Sequence, residues 1–385
     1  MFTWLCKLAL HLFTRCAQER LFRSVDLKSP WQAYLFLSVL TNLPQEKSEH
    51  SSIGAQDFTG TDSPRSDRLA RHVRSLKFQW RGHSSMGRGG GTAICEIIRT
   101  CPLLESITID TTFWSCCEKP LFEALVSRQS IKKFSVLAKP TSEVTAIQWT
   151  IDQLEAELFS KWKMLEVVDL YELHRRPVEM IGSIPKPIPV LNCTLRKLNL
   201  TKPDLDERDL YSLLEGSRES IRELNICDPS SKLDRPGLFR ILKECTGPDL
   251  ESLSISIMED WHHLFFSRDA DVDDPAQNPS MLDILFKSSF RKIKSLSIWG
   301  RLASSELLHL LPESLVHLRW SQCDYSAASL AADLFTWRDN KDNISSPPGP
   351  PKGFEDRGPW LPNLKTFSIS DGMYMYKVTN LPVSR

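Results

Sequence analysis

The sequence contains LRKLNL at residues 195–200, IRELNI at 221–226, LESLSI at 250–255 and IKSLSI at 293–298. All four stretches follow the pattern Φ-x-x-Φ-x-Φ, where Φ is an apolar residue. Six further copies have more varied apolar residues and lie at residues 73–78, 104–109, 131–136, 165–170, 315–320 and 364–369. A motif that returns this often indicates a repeat architecture, because a single copy is too short to bury its own apolar side chains.

The spacing between copies gives the size of the repeating unit. Successive copies start 31, 27, 34, 30, 26, 29, 43, 22 and 49 residues apart. The two longest intervals contain an acidic insertion at 268–279 and a Pro/Gly-rich insertion at 339–360, without which they shorten to 31 and 27 residues. A period near 26 to 31 residues accommodates a strand, a loop and a helix, as in the helical class of leucine-rich repeats. We therefore predict an α/β fold: an irregular leucine-rich-repeat solenoid with parallel strands on its concave face, helices on its convex face and a short helical N-terminal segment.

Helix signals lie between the strands, where this layout requires them. Asp206 supplies an N-cap and Asp209 supplies an acidic residue three positions later, ahead of an apolar run. The other predicted helices begin near Pro236, at Ser280 and at Ser304 or Ser305, and one with a clear apolar stripe covers residues 150–163.

Two elements carry a family resemblance: LFRSVDL at 21–27 and VRSLKF at 73–78. Residues 5–44 as a whole resemble the region where fungal F-box proteins pass from the end of the F-box into their repeat domain. The resemblance implies a first strand at 21–27 and a helix around residues 31–43, preceded by a last F-box helix carrying Leu8, Leu12, Cys16 and Ala17. It also implies a function, the substrate-recognition subunit of an SCF-type ubiquitin ligase, in which the repeats hold a target protein and the F-box holds the adaptor Skp1.

The chain departs from that family in two ways. An F-box opens with a Leu-Pro-x-Glu-like sequence, which nothing before Leu5 supplies, so we expect either that the opening lies upstream or that the link to the ligase is lost. The alternative function is therefore a leucine-rich-repeat scaffold without a ubiquitin role. The repeats also lack the Asn or Cys expected eight positions after the first Φ, where only Cys323 fits, so no asparagine ladder and an irregular curvature are expected.

These signals divide the chain into four parts. We predict an F-box remnant with the first strand–helix unit at 1–44, a polar linker at 45–70, the leucine-rich-repeat-like domain at 71–376 and a tail at 377–385. The linker prediction rests on a composition rich in Ser, Gly and Asp, which cannot bury enough apolar surface to fold alone.

Composition argues against several classes of partner and location. Lys plus Arg and Asp plus Glu both number 48, so no excess positive charge favours nucleic acid or an anionic membrane.

Lys7, His11 and Arg15 interrupt the apolar N-terminus, which predicts an amphipathic helix rather than a signal peptide. No stretch reaches the roughly 20 apolar residues that span a bilayer. Ten cysteines without a CxxC spacing predict structural free thiols, no metal site and a reducing compartment, the cytoplasm or nucleus.

Several fragments imitate catalytic or ligand-binding motifs and fail on a required residue. Residues 87–92 are glycine-rich but lack the Lys of a phosphate-binding loop, and 82–86 have Met86 where a nucleophile elbow needs Gly. An acidic run at 269–280 lacks the Gly and Glu of a calcium loop. The His262–His263 and Cys116–Cys117 pairs have no partner cluster in the sequence. We therefore predict no enzyme, no catalytic or metal residue and no cofactor.

The remaining candidate site is the sheet face that points away from the helices. Because the last two Φ residues face the core, the residues beside them point outward, and most of these are small and polar. A parallel sheet with one solvated face is unusual outside solenoids, where that face is the common binding surface. Tyr171, Trp299 and Arg319 stand out on it, because aromatic and arginine side chains often anchor protein interfaces. We take these three as candidate partner-binding residues for a protein target, with packing on neighbouring repeats or simple solvation as the alternative.

Overall fold

A computed structural model describes residues 17–41, 69–137, 146–175, 191, 193–258, 280–304, 306–321, 361–370 and 375–379. The chain forms two compact units, the first from Met1–Tyr171 with Val178–Cys193 and the second from Glu172–Pro177 with Thr194–Arg385. The predicted insertions at 268–279 and 339–360, and the predicted linker except its last two residues, lie outside the described residues.

The first unit contains five parallel strands among its described residues, each paired with the next one along the chain. Register keeps the apolar positions aligned, so that Leu76 lies opposite both Val25 and Ile107. The strands are β1 (Ser24–Leu27), β2 (Ser75–Ser84), β3 (Ser106–Phe113), β4 (Lys133–Val136) and β5 (Val167–Tyr171).

The helices of the first unit pack against one another in chain order. Residues 17–23 are also helical and precede β1. The helices are α1 (Pro30–Thr41), α2 (Gly91–Thr100), α3 (Glu118–Val126) and α4 (Ile151–Gln153), which continues as the π-helix Leu154–Phe159, and two short 3-10 helices cover Gly87–Gly89 and Ser115–Cys117.

The second unit repeats the same arrangement with six parallel strands and one antiparallel strand among its described residues. The antiparallel strand β12 pairs with β11, and no sequence signal predicted it. It crosses residue 376, where the sequence placed the end of the repeat domain. The strands are β6 (Lys197–Thr201), β7 (Glu223–Cys227), β8 (Ser252–Ser256), β9 (Ser295–Trp299), β10 (His317–Ser321), β11 (Thr366–Ser370) and β12 (Met375–Thr379).

Helices of the second unit also pack in chain order, α5 (Glu207–Leu214) on α6 (Arg235–Glu244), α6 on α7 (Met281–Ser288) and α7 on α8 (Leu307–Leu310). The short 3-10 helix Glu215–Ser217 follows α5. The predicted cap of α5 is confirmed as a capping box between Asp206 and Asp209. No helix among the described residues is long and apolar enough to cross a membrane.

All ten predicted motif copies fall on strands β2 to β11, one copy to each strand. Every Φ residue of every copy is buried, including the unusual aromatic ones, Phe78, Phe134, Trp320 and Phe367. The helices add buried aliphatic side chains from the other side, such as Leu210 of α5 and Ile241 of α6. Both units are therefore built as α/β solenoids of the predicted leucine-rich-repeat type, with one apolar layer between strands and helices.

One local prediction was wrong, and another was confirmed with a different hydrogen bond from the usual cap. The first strand begins at Ser24 rather than at residue 21, because residues 17–23 form a helix whose Phe22 ring stacks on Phe36 of α1 at 6.0 Å between centroids. Helix α7 begins directly after Ser280, as predicted, although the Ser280 side chain makes no cap hydrogen bond. The Asp283 carboxylate instead accepts hydrogen bonds from the backbone N–H and the hydroxyl of Ser304.

Backbone hydrogen bonds take the place of the missing asparagine ladder in the second unit. The residue after a strand adopts a left-handed conformation in Lys202 (φ 52°) and Asp228 (φ 50°). Its N–H donates to the carbonyl oxygen that ends the next strand, from Lys202 to Cys227 at 2.7 Å and from Asp228 to Ser256 at 2.8 Å. The following residue is Pro203 or Pro229, which carries no N–H. No donor is left at this position for an asparagine side chain to satisfy.

Candidate protein-binding face

Alternate side chains of each repeat strand point to opposite faces of the sheet. In β8, Leu253 and Ile255 are buried in the core, whereas Ser252, Ser254 and Ser256 are partly exposed. Strands β5, β6 and β9 show the same alternation. The predicted open face is therefore present on the strands of both units.

The second unit has a continuous run of small polar residues on this face, which we call the serine face. Neighbouring strands keep these residues in register, since Ser252 pairs with Ser295 and Ser254 with Ser297. Ser321 was predicted to belong to it but is fully buried. The serine face consists of Ser252, Ser254, Ser256, Ser295, Ser297, Trp299, His317, Arg319, Thr366 and Ser368.

Trp299 and Arg319 lie on the adjacent strands β9 and β10 of the serine face. In the strand register, Trp299 lies opposite Ser321, and Arg319 lies opposite Ser297. The two candidates are thus diagonal neighbours, a spacing that long side chains can bridge. Trp299 is half-exposed and Arg319 is exposed. The structure therefore brings two of the three predicted residues together.

Arg319 makes no hydrogen bond or ion pair within the described part of the chain. Other polar groups on the outward positions of this unit do have partners. The amide of Asn225 donates to that of Asn199, and Lys197 pairs with Glu223. The Nδ1 atom of His317 lies 2.6 Å from the Thr366 hydroxyl. Within the described part of the chain, the neighbours of Arg319 on the adjacent strands are Ser297 and Ser368, and its guanidinium has no polar partner.

Tyr171, the third candidate, lies at the end of β5 in the first unit. Its side chain is half-exposed on an outward position, as predicted. It belongs to a different compact unit from Trp299 and Arg319. We therefore treat Tyr171 as a separate candidate.

A cluster of charges that the sequence analysis missed follows β6 in the second unit. Asp204 accepts a hydrogen bond from the Lys232 ammonium at 2.6 Å, and its carboxylate lies 3.5 Å from Nδ1 of His174. Nearby, the Arg175 guanidinium donates to the buried Asp209 carboxylate at 2.9 Å. His174 and Asp204 occupy the same position of consecutive repeats, nine residues after the first Φ. That coincidence is the sequence signal that could have revealed the cluster.

The charged groups of this cluster are paired with one another. Partial burial acts to raise the pKa of Asp204, but hydrogen bonds from Lys232 and Ser230 and the charge of Lys232 outweigh it and lower that pKa. A carboxylate held ionised by fixed partners is a poor proton acceptor at neutral pH. We therefore interpret the cluster as a link between consecutive repeats, and we do not assign Asp204 as a general base.

The charged side chains that line a shallow groove beside this cluster are also mostly paired within the chain. Most of the groove's charged residues already have intramolecular roles: Glu207 accepts two hydrogen bonds of 2.5 Å from the Arg240 guanidinium, and Asp206 and Asp234 cap α5 and α6. The groove is lined by Asp206, Glu207, Arg208, Tyr211, Lys232 and Asp234. Groups that are already paired give a ligand little to bind.

The buried cysteines among the described residues are unsuited to nucleophilic chemistry. Burial is the main cause that raises the pKa of Cys95 and Cys117 to about 11 and that of Cys101 and Cys245 to about 12. The thiolate is the reactive form, and it is scarce at neutral pH for such groups. In the described part of the chain these thiols form no disulfide and pack as small apolar side chains.

Residues 82–84 of the motif at 82–86 form the end of strand β2 and have a structural role. Ser84 is fully buried, and its hydroxyl accepts a hydrogen bond from the Trp80 indole at 2.9 Å. The predicted glycine-rich loop at 87–92 leads into α2, and the Thr92 hydroxyl accepts a hydrogen bond from the Gly87 N–H at 2.8 Å. The acidic run at 269–279 and the His262–His263 pair lie outside the described residues.

No protein-family model matches the chain, and no curated protein matches it. Among solved structures, a chain of the "Crystal structure of TLR13-ssRNA13 complex" is similar over 66% of this chain, with 13% sequence identity and a TM-score of 0.30. The matched part spans 41% of the length of that chain. A similarity at this level carries no argument about function, which rests on the geometry of the molecule.

Proposed function

We propose that this chain is a protein-binding module that holds a protein target on the serine face of its second unit. The supporting observation is that Arg319, which has no partner among the described residues, lies on the strand adjacent to that of the half-exposed Trp299. Tryptophan and arginine are the residue types that most often dominate binding energy in protein interfaces. The small hydroxyl residues around them leave room for a partner's side chains to approach the sheet.

The chemistry of this face favours a target that presents an acidic group. A guanidinium donates in a planar fork that matches a carboxylate, and the flanking Ser297 and Ser368 can offer further hydroxyl donors. The indole of Trp299 gives a partner an apolar surface two residues away on the neighbouring strand. The proposal involves no catalytic step, no cofactor and no nucleic acid.

A pull-down with the full chain tests this proposal. The double variant Trp299→Ala/Arg319→Ala should lose a target that wild type retains, with affinity reduced by about tenfold or more. Arg291→Ala is a matched control, because Arg291 is exposed and precedes β9 outside the serine face. Equal retention of every protein by the double variant and by wild type would refute the assignment of this face.

We further propose that the module serves as the substrate-recognition subunit of an SCF-type ubiquitin ligase. The resemblance of residues 5–44 and 73–78 to fungal F-box proteins supports this role. The alternative is a scaffold of the same fold without a ubiquitin role. The protein produced from the longest upstream reading frame should retain Skp1 in a pull-down, and failure to retain it would favour the scaffold.

A further inference from the structure

Arg319 and Trp299 of the serine face have fixed backbones, which sets the distance between them. Arg319 lies in the middle of β10, paired with Ser297 of β9 on one side and with Ser368 of β11 on the other. Trp299 ends β9, where its carbonyl oxygen accepts a hydrogen bond of 2.9 Å from the Ile257 N–H. The sheet therefore presents both residues from a preorganised backbone, which lowers the entropy cost of binding a partner.

The strand register separates these two residues by one strand and two positions. Trp299 lies opposite Ser321, which is two residues beyond Arg319 on β10. Strands lie about 4.8 Å apart and two residues span about 6.6 Å, so the two Cα atoms are roughly 8 Å apart. In an extended peptide, alternate residues share a face and are about 7 Å apart, whereas helical neighbours are only about 5–6 Å apart. The spacing therefore fits alternate residues of an extended segment best.

Charged residues near the start of these strands are already paired, which leaves Arg319 to attract an acidic partner. Lys294, which precedes β9, donates to Glu251 at 2.8 Å, and Lys292 forms an ion pair with Asp249. Arg319 has no such partner within the described part of the chain. An acidic side chain of a target is therefore drawn to Arg319 rather than to the paired lysines.

We propose that the serine face recognises an extended segment of its target that carries a carboxylate and an apolar side chain at alternate positions. The carboxylate accepts hydrogen bonds from the Arg319 guanidinium, and the apolar side chain packs on the Trp299 indole. The residue between them points away from the sheet, so its identity is unconstrained. This inference rests on the proposed function and adds the conformation and the spacing of the bound segment.

Fluorescence anisotropy of labelled peptides with the full chain tests the spacing. The peptides share uncharged Gly/Ser flanks and differ in a central triplet: Glu-Ser-Phe, Phe-Ser-Glu, Glu-Phe-Ser or Phe-Glu-Ser. The first two place Glu and Phe at alternate positions in both chain directions, and the other two have the same composition with Glu and Phe adjacent. The better alternate peptide should bind about fivefold or more tightly than either adjacent peptide.

Variants assign each peptide side chain to its anchor. Arg319→Gln should lower the affinity of the alternate peptide to that of its Gln-for-Glu analogue on wild type, and Trp299→Ala should abolish the preference for alternate over adjacent peptides. Arg291→Ala, at an exposed position outside the serine face, is the control and should bind as wild type does.

Equal affinities for the alternate and adjacent peptides, or binding of none of them, would overturn the inference. The pull-down with the double variant Trp299→Ala/Arg319→Ala distinguishes this failure from a failure of the proposed function. A target that the double variant loses would still be assigned to the serine face, held through a folded surface instead of an extended segment.

Discussion

The strands of the two units share one core pattern but end differently. In the second unit, β6 to β11 each span five residues, and in β6 and β7 the next residue, Lys202 or Asp228, turns left-handed. In the first unit, β2 and β3 run for 10 and 8 residues, whereas β1, β4 and β5 are as short as the strands of the second unit. The apolar motif is therefore sufficient to place a strand, but it does not decide where the strand stops.

The cause lies in the residues just after the motif. Pro203 and Pro229 cannot donate to a sheet ladder, so the strand pairing cannot pass them. In the first unit, β2 instead passes through an irregularity between Gln79 and His83 that is centred on Gly82. Beyond it, Ser84 lies within hydrogen-bond distance of the Thr111 hydroxyl at 3.2 Å, which ties β2 to β3.

A substitution in the core pattern that both units share should cause the largest loss in the free energy of unfolding. Phe134→Ala removes a fully buried ring that contacts Trp149, Phe159 and Trp162. We expect the free energy of unfolding to fall by about 3–5 kcal/mol, measured by urea denaturation followed by circular dichroism. Lys133→Ala on the same strand is the control and should cost less than about 0.5 kcal/mol, because Lys133 is exposed. A small loss in Phe134→Ala would contradict the packed core of the first unit.

The strand irregularity should give the next largest effect. Gly82 has a φ of 88°, and an added Cβ meets no atom within 4 Å, so Gly82→Ala tests backbone conformation alone. We expect the free energy of unfolding to fall by about 1–2 kcal/mol in the same denaturation experiment. An unchanged midpoint would show that this turn does not need a left-handed residue.

The left-handed turn after β6 should respond in the opposite direction. Lys202 is not a glycine but has a φ of 52°, so Lys202→Gly relieves strain at a position whose side chain is exposed. We expect the free energy of unfolding to rise by up to about 1 kcal/mol, offset in part by the greater entropy of glycine in the unfolded chain. A loss of stability would mean that the lysine side chain stabilises the loop.

The charge cluster of the second unit should give a smaller, pH-dependent effect. The pKa of Asp204 is lowered on folding, so its ionised form stabilises the protein above about pH 3.9, the usual unfolded value. We expect Asp204→Asn to lower the free energy of unfolding at pH 7 by less than about 1 kcal/mol. This difference in the free energy of unfolding between Asp204→Asn and wild type should disappear as the pH falls through the lowered pKa of Asp204.

Asp283 provides a control, because folding shifts its pKa in the opposite direction from that of Asp204. Burial raises its pKa, and hydrogen bonds from Ser304 offset this only in part. The free energy of unfolding of Asp283→Asn relative to wild type should therefore increase as the pH rises above about 3.9. Parallel pH profiles for the two variants would contradict the assigned environments.

The sequence predicts the strands that form the core far better than it predicts local helix geometry or the last strand of the sheet. The Φ positions identify each of the strands β2 to β11, since an apolar pattern is all that core burial requires. The capping box of Asp206 and Asp209 is equally local. The π-helix at Leu154–Phe159 is not predictable in this way, because Leu154, Leu158 and Phe159 would also be buried in an α-helix. The antiparallel β12 depends on its contact with β11 and has no copy of the motif.

The candidate site was predicted only in part, for a related reason. Period two places Trp299 and Arg319 on the open face, and the structure adds that Arg319 has no partner within the described residues. Ser321 departs from the alternation, since the last residue of β10 is buried in place of an outward position. The His174–Asp204 link was missed because it joins side chains of consecutive repeats, and a motif search within one repeat does not compare them.

Oxidative footprinting of Trp299, with and without the target retained by the wild-type chain, tests the central claim most directly. Trp299 is half-exposed in the chain alone, so its indole should be oxidised readily. A target held on the serine face should protect Trp299 several-fold, while Trp114, a half-exposed tryptophan of the first unit, should keep its rate. Unchanged oxidation of Trp299 under saturating target would contradict binding on this face.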